Sequence, residues 1–266
     1  MLHFFAIEAG TGQVYSWGAN FEHQLGRSTG GSFESLQPAP VVLESGLPLT
    51  GVVAVSGGDD FGVARMSDAT LRTWGRKALL GRPDSTGNSE SWDHPGPVLD
   101  SGSQPLGEII QVAAGAEHTV ASSANGQVWS FGSNEYSQLG QTGAGLGVVI
   151  TPGRVRRQES NFPVLGNIVQ IAAGAAHSIA LDASGAVWTW GANDKGQLGD
   201  GSTTQRLSPV KVKTASPHLV FTAYRLSPMA SPDSRRGRHP PCGREQFAWA
   251  TRSGLRSVAG KRLWVG

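Results

Sequence analysis

Side chains that could run acid–base chemistry are few in this sequence, and their spacing argues against catalysis. Asp59 and Asp60 are adjacent carboxylates. Neighbours on a strand point to opposite faces, so as strand residues they cannot flank one substrate, and a turn suits them better. His118 and His177 would need converging partners to bind a metal or act as bases. The repeat provides none, and both are read as hydrogen-bonded structural histidines. Cys242 is the single cysteine, which excludes an intramolecular disulfide and proposes no zinc site. No phosphate loop ending in Gly-Lys-Ser/Thr, G-x-S-x-G elbow or His-Glu-x-x-His motif occurs. The expectation is a protein that is not an enzyme, with no catalytic, cofactor-binding or metal-binding residue.

Residues suited to recognition are easier to name. Trp92, Asp93 and His94 set an aromatic, read as exposed, beside two polar groups, a composition found in binding hot spots, with local packing as the alternative. Arg154, Arg156 and Arg157 form a basic cluster able to meet phosphate or an acidic partner, with a solvated loop as the alternative. Charge is unevenly distributed. Residues 1–212 hold 12 basic and 18 acidic side chains, whereas 213–266 hold 10 and 2. That tail carries Arg235, Arg236, Arg238 and His239 among prolines. It could attract nucleic acid or an anionic surface, though disorder or translation in a shifted reading frame explains its composition equally well.

The elements that position these groups recur with a fixed period. Trp17-Gly18, Trp74-Gly75, Phe131-Gly132 and Trp190-Gly191 are spaced by 57, 57 and 59 residues. A second landmark follows each: Gln24-Leu25-Gly26, Leu79-Leu80-Gly81, Gln138-Leu139-Gly140 and Gln197-Leu198-Gly199. Gly140 and Gly199 are read as positions with a positive backbone dihedral. Upstream stand VVAVSGGDDFGVA from Val52, IIQVAAGAEHTVA from Ile109 and IVQIAAGAAHSIAL from Ile168, each a strand, a small-residue turn and a strand. Ala172, Ala173 and Gly174 allow the close backbone approach that strands near the axis of a radial assembly require. Alternation puts Trp188 and Trp190 on one face, as a buried tryptophan layer that recurs around the structure.

Each unit therefore supplies about four short strands, and the predicted fold is an all-β propeller of four-stranded blades. Units run from about 3 to 51, 52 to 108, 109 to 167 and 168 to 212. The first aligns HFFAIEAGTGQVYSWG with HSIALDASGAVWTWG and lacks the preceding small-residue strand, so the chain is expected to begin part-way through a blade. In the tail Gly243, Gln246, Gly254 and Gly260 repeat the internal spacings of Gly174, His177, Gly185 and Gly191, which fits either a decayed fifth blade or chance spacing in a segment rich in glycine and arginine. No stretch of eighteen apolar residues and no signal peptide is visible, and the cytoplasm is the expected compartment.

The signatures G-A-x-H-[ST]-[IV]-A, G-x-V-W-[ST]-[WF]-G and N-x-x-x-Q-L-G resemble the regulator of chromosome condensation repeat family over residues 3–212. The resemblance implies seven four-stranded blades around a central channel, so this ring is incomplete. The second unit departs from the pattern, with Phe61 at the histidine position and Leu79 in place of glutamine. The resemblance also implies functions as diverse as exchange factors for small GTPases, chromatin binders, enzyme inhibitors, light sensors and ubiquitin-ligase adaptors.

Fold does not choose among these, and contacts are expected in the loops that differ between blades: Arg27–Gln37, Arg82–Pro97 and Gln141–Pro163. The leading expectation is a protein-binding scaffold. The alternatives are a guanine-nucleotide exchange factor and a nucleic-acid or chromatin binder acting through the basic tail. Self-association through an open strand edge is a further route. Unfolding of residues 1–212 beside the full chain tests the tail: retained cooperativity makes it an appendage, and lost cooperativity makes it part of the propeller.

Overall fold

Runs of β-branched and aromatic residues broken by glycine turns fold as fifteen strands in the described part of the chain. The computed structural model describes residues 2–82, 92–158 and 163–213. The strands are β1 His3–Ile7, β2 Val14–Ala19, β3 Glu34–Pro40, β4 Val52–Gly57, β5 Phe61–Met66, β6 Leu71–Gly75, β7 Gly96–Pro97, β8 Ile109–Ala114, β9 His118–Ser123, β10 Val128–Ser133, β11 Val148–Arg154, β12 Ile168–Ala173, β13 His177–Asp182, β14 Val187–Gly191 and β15 Arg206–Lys211. They form one three-stranded sheet, β1 to β3, and three four-stranded sheets, β4 to β7, β8 to β11 and β12 to β15. Every pair is antiparallel and sequential. The chain is an all-β propeller segment whose first blade, in the described residues, has three strands.

Tight turns are set by side chains as well as by glycine. Between β13 and β14 the Asp182 carboxylate accepts the backbone N–H groups of Ser184 and Ala186 at 2.9 and 3.0 Å, while Gly185 takes a φ of +82°. After the central strand pair, Asn20, Asn134 and Asn193 accept the N–H of Leu25, Leu139 and Leu198 at 3.0 to 3.2 Å. Lys77 occupies this position in the second blade, and the chain there makes a short 3-10 turn over Lys77–Leu79. The N-x-x-x-Q-L-G signature is thus a hydrogen-bonded turn, and the second blade solves the same problem by backbone winding.

Apolar cores lie between blades rather than inside them. Val14, Val41, Val52, Ala64 and Trp74 join blades one and two. Phe61, Leu71, Val98, Ile109 and Phe131 join two and three. Val120, Val128, Ile168, Ala180 and Trp190 join three and four. In each junction the aromatic of one blade lies against the glycine ending the Q-L-G or L-L-G turn of the blade before it. A Cβ on Gly26, Gly81 or Gly140 would stand 2.8 Å from Trp74, Phe131 or Trp190 respectively. The indoles of Trp74 and Trp190 also donate to the carbonyls of Gln24 and Gln138 at 3.0 and 2.8 Å. These glycines therefore serve two needs, a φ of +61 to +66° and room for a neighbour's ring.

Near the axis the backbones themselves connect. Asp59 N–H donates to Ala116 O at 2.7 Å and Ala116 N–H to Ala175 O at 3.1 Å, a relay from blade two to blade four. Gln111 clamps the next inner strand, donating to Val169 O at 2.7 Å and accepting Ile171 N–H at 3.0 Å. A Cβ on Gly115 would fall 2.2 Å from the His118 ring and 2.6 Å from Gly174 O, so the small residues of this strand–turn are demanded by the neighbouring blade.

Two expectations need correction. The segments Arg27–Gln37 and Gln141–Pro163, read as loops, contain the start of β3 and the whole of β11, and Arg82–Pro97 ends in β7. These are the outermost strands. With one edge and much of both faces in water, they carry too few apolar residues to show an alternation. Their signature is instead Pro38, Pro95, Pro152 and Pro209, spaced by 57 residues throughout. Proline is tolerated on an edge strand, where it forfeits no ladder bond. Second, the tryptophan layer does not recur at both positions: Tyr15 and Arg72 stand where Trp129 and Trp188 do.

The junction glycine yields a direct test. Gly140→Ala should destabilise the protein by about 1–3 kcal/mol, through strained backbone and displacement of Trp190. Gly143→Ala, at φ +88° in open space, carries the backbone term alone and should cost less. Denaturant midpoints of the two variants separate ring contact from dihedral strain.

Candidate protein-binding surface

Arg154 ends β11 directly opposite Trp129, and its guanidinium lies 5.0 Å from that ring centre. The equivalent pair in blade four is Lys211 opposite Trp188, also at 5.0 Å. Arg157 leaves blade three and crosses to the same Trp188, 5.5 Å from its centre. Arg154 and Lys211 are exposed and Arg157 is half-buried. Each cation gains from the negative face of an indole while its charge remains in water. Asp182 accepts the Trp188 indole N–H at 2.9 Å, which fixes the orientation of this buried ring. Arg156 is exposed, and its backbone N–H donates to Gly140 O at 3.0 Å. The predicted arginine cluster is thus one part of a ledge of aromatic rings topped by cations across blades three and four. Sequence reading missed Trp129, Trp188 and Lys211 as members, because only strand register brings Lys211 onto Trp188.

Trp92, Asp93 and His94 lie apart from that ledge, in blade two. The reading of Trp92 as exposed is corrected: it is half-buried, packs on the core shared by blades two and three, and carries Lys77 Nζ 3.8 Å above its ring. His94 Nδ1 meets Asp93 Oδ1 at 3.0 Å. Arg82 donates to Thr73 O at 2.8 Å and reaches His94 O at 3.4 Å. A shallow cavity of about 270 Å³ opens beside them, lined by Arg72, Arg82, His94, Glu44 and Pro97. Of the cluster, His94 lines this cavity and Trp92 packs on the core.

The other candidate residues are in structural settings. Trp74 and Trp190 are fully buried and Trp17 is half-buried. Gly18, Gly75, Gly132 and Gly191 have φ of +100 to +105°, and a Cβ on any of them would meet backbone at 2.4 to 2.6 Å. His118 is fully buried, and its Nε2 lies 2.9 Å from Ser178 Oγ, which in turn donates to Gln138 O at 2.8 Å. Burial, and secondarily the nearby His177, push its pKa down to about 3. His177 is buried over Gly174, whose backbone N–H donates to the His177 carbonyl at 2.9 Å, and burial lowers its pKa as well. Asp59 and Asp60 occupy the bend between β4 and β5. Burial raises the Asp60 pKa, and Arg76 lies 3.9 Å away while pairing with Glu117 of blade three at 2.6 Å.

Among the described residues no three His, Cys, Asp or Glu side chains gather as a metal site would require, and no helix is long and apolar enough to cross a membrane. Cys242 and the tail arginines and glycines, including Gly243, Gln246, Gly254 and Gly260, lie outside the described residues.

Matches to the description Regulator of chromosome condensation (RCC1) repeat cover residues 11–65, 125–181 and 184–220, with a second set at 109–138 and 168–197. The chain belongs to the RCC1 repeat family. Residues 66–108 fall outside every match, and they hold Arg72, Lys77 and Leu79 in place of the repeat's tryptophan, asparagine and glutamine. Among similar proteins, human E3 ubiquitin-protein ligase HERC2 is 32% identical over 75% of this chain and 4% of its own length. The ultraviolet-B receptor UVR8 of Arabidopsis thaliana is 31% identical over 76% of this chain and 42% of the receptor. The RCC1 fold is shared with Prp20p of Saccharomyces cerevisiae, at a TM-score of 0.62 and 22% identity over 80% of this chain and 49% of that one. Human WBSCR16 is similar at 0.63 and 24%, over 80% and 51%. The chain therefore spans less than half of these curated relatives and about half of these solved propellers.

The buried histidines make the RCC1 segment acid-sensitive. Below an ordinary pKa of 6.5 the unfolded chain takes up a proton that folded His118 refuses down to about 3. Stability is complete above pH 6.5 and should fall as pH drops toward 3, with a slope of up to about 1.4 kcal/mol per pH unit from this group. Urea unfolding at stepped pH measures it, and His118→Asn should flatten the curve.

Proposed function

We propose that this RCC1-repeat chain is a non-enzymatic protein-binding scaffold that engages an acidic segment of a protein partner along the ledge formed by Trp129, Arg154, Arg157, Trp188 and Lys211. The observation that carries this reading is the placement of three cations over two indole faces on neighbouring blades. Trp188 is buried and Trp129 half-buried, so the ledge offers mainly the exposed charges of Arg154 and Lys211 with a margin of apolar area at Trp129, which suits an acidic segment. Arg156 borders the ledge and adds to its positive field. The Trp92, Asp93 and His94 cluster is proposed as a second contact, through its cavity rather than through the tryptophan. No side chain in this arrangement is activated as a nucleophile or base, and HERC2's ligase name belongs to a protein of which this chain matches only 4%.

Regulation of a small GTPase is the second reading, favoured by the fold shared with Prp20p, a protein characterised for its binding to Gsp1p and histones. Accelerated GDP release from purified Gsp1p would replace the scaffold reading with this one. Nucleic-acid or chromatin binding through the basic tail is a third, and it predicts steep salt dependence and loss of binding with residues 214–266.

Titration of tryptophan fluorescence with a Glu-rich, aromatic-containing peptide tests the proposal, beside a neutral peptide and a single-stranded oligonucleotide. The acidic peptide should bind at least about tenfold tighter than the neutral one. The triple variant Arg154→Glu, Arg157→Glu, Lys211→Glu should abolish that preference and lower the unfolding midpoint only slightly. Equal binding of the two peptides, or a preference that persists in the variant, overturns it.

A further inference from the structure

Every blade junction has two faces, and among the described residues one copy of each lacks its counterpart. The trailing face is the glycine seat and the glutamine carbonyl before it; the leading face is the aromatic that fills the seat. Gly26, Gly81 and Gly140 are buried under Trp74, Phe131 and Trp190. Gly199, at the same position of blade four, is exposed, with a φ of +62° like the others. A Cβ on Gly199 would meet only the Val212 side chain within 4 Å. An open depression of about 600 Å³ lies over it, lined by Gly196, Gly199, Gly201, Ser202, Thr203 and Lys213. Gln197, which supplies the carbonyl, is half-buried where Gln24 and Gln138 are buried.

The matching aromatic is Trp17 of blade one. It is half-buried where its three counterparts are fully buried, and its indole N–H has no partner among the described residues. Phe4 stacks on it with ring centres 5.7 Å apart and is 47% exposed, next to the 43% exposed Leu2. Three junctions within the chain show what a seat of this shape accepts: an indole or phenyl ring of the following blade, with the indole N–H on the glutamine carbonyl. The solved propellers of this fold are about twice as long as the portion this chain spans, so two copies have the extent of one such ring.

We propose that a second copy of this chain docks head to tail, placing its Trp17 on Gly199 with the indole N–H on Gln197 O. Because the two faces differ, the contact is heterologous; two copies close on each other when both junctions form, and chains grow when they do not. The inner edge of β1 lies beside the incoming contact and lends it backbone groups.

Light scattering after size exclusion tests this on the full chain at micromolar concentration. The expected mass is twice that of the chain, or a larger multiple that grows with concentration. Trp17→Ala and Gly199→Val should each reduce it to a single chain. Mixed together, the two variants should recover a dimer, because Trp17 of one and Gly199 of the other still form one intact junction. A misfolded variant would give no such recovery, and the Trp17→Ala result then decides by itself. A single-chain mass for the parent, as when residues 214–266 cover the seat in the same molecule, overturns the proposal, and so does an unchanged mass for Trp17→Ala.

Discussion

The contact between an aromatic ring and a glycine in the preceding blade is the constraint on which this architecture rests. A four-stranded blade is too thin to bury a core of its own, so its apolar side chains are hidden only when the next blade arrives. The ring supplies most of that apolar area, and the glycine lets the turn below approach closely enough to meet it. Where the ring is an indole, its N–H donates to the glutamine carbonyl of that turn, which at Gln138 also receives the Ser178 hydroxyl. The glutamine, leucine and glycine of the signature are therefore one device: a clamp for its own turn, a core contact and an opening for the neighbour.

Around that contact the remaining interactions keep blades in step. Backbone bonds from Asp59 to Ala116 and from Ala116 to Ala175 fix height along the axis, and Gln111 fixes the lateral position of the next inner strand. His118 and Ser178 tie the middle strands across the same boundary. The second blade keeps the geometry with different chemistry, since Phe61 occupies the histidine position and a 3-10 turn replaces the asparagine clamp. Variation is tolerated where a turn can be wound otherwise, and the aromatic and its glycine persist even there.

The propeller was legible in the sequence because its inner three strands are apolar and its turns need glycine at fixed intervals. The landmarks Trp17, Trp74, Phe131 and Trp190 mark the strand that pairs with the outermost one in each sheet. The outer strands escaped notice because water on several sides leaves no hydrophobic rhythm; the proline spacing was the signal that marked them. The site was less legible still. Arg154, Arg156 and Arg157 stand together in the chain, but Lys211 and the two tryptophans join them only through pairing across strands. Trp92 looked exposed because its neighbours are polar, whereas its ring turns inward onto a core assembled from two blades.

The outer prolines carry one more consequence. A strand edge with free N–H and C=O groups is a template on which other chains polymerise, and a solenoid-like array of sheets would present such an edge on every blade. Pro38, Pro152 and Pro209 lie within β3, β11 and β15, and Pro95 immediately precedes β7, so each outermost strand carries or adjoins a residue with no N–H to offer a foreign strand. Edge-to-edge growth is thereby discouraged around the circumference, so the outer rim resists the misassembly that an array of bare sheet edges would invite.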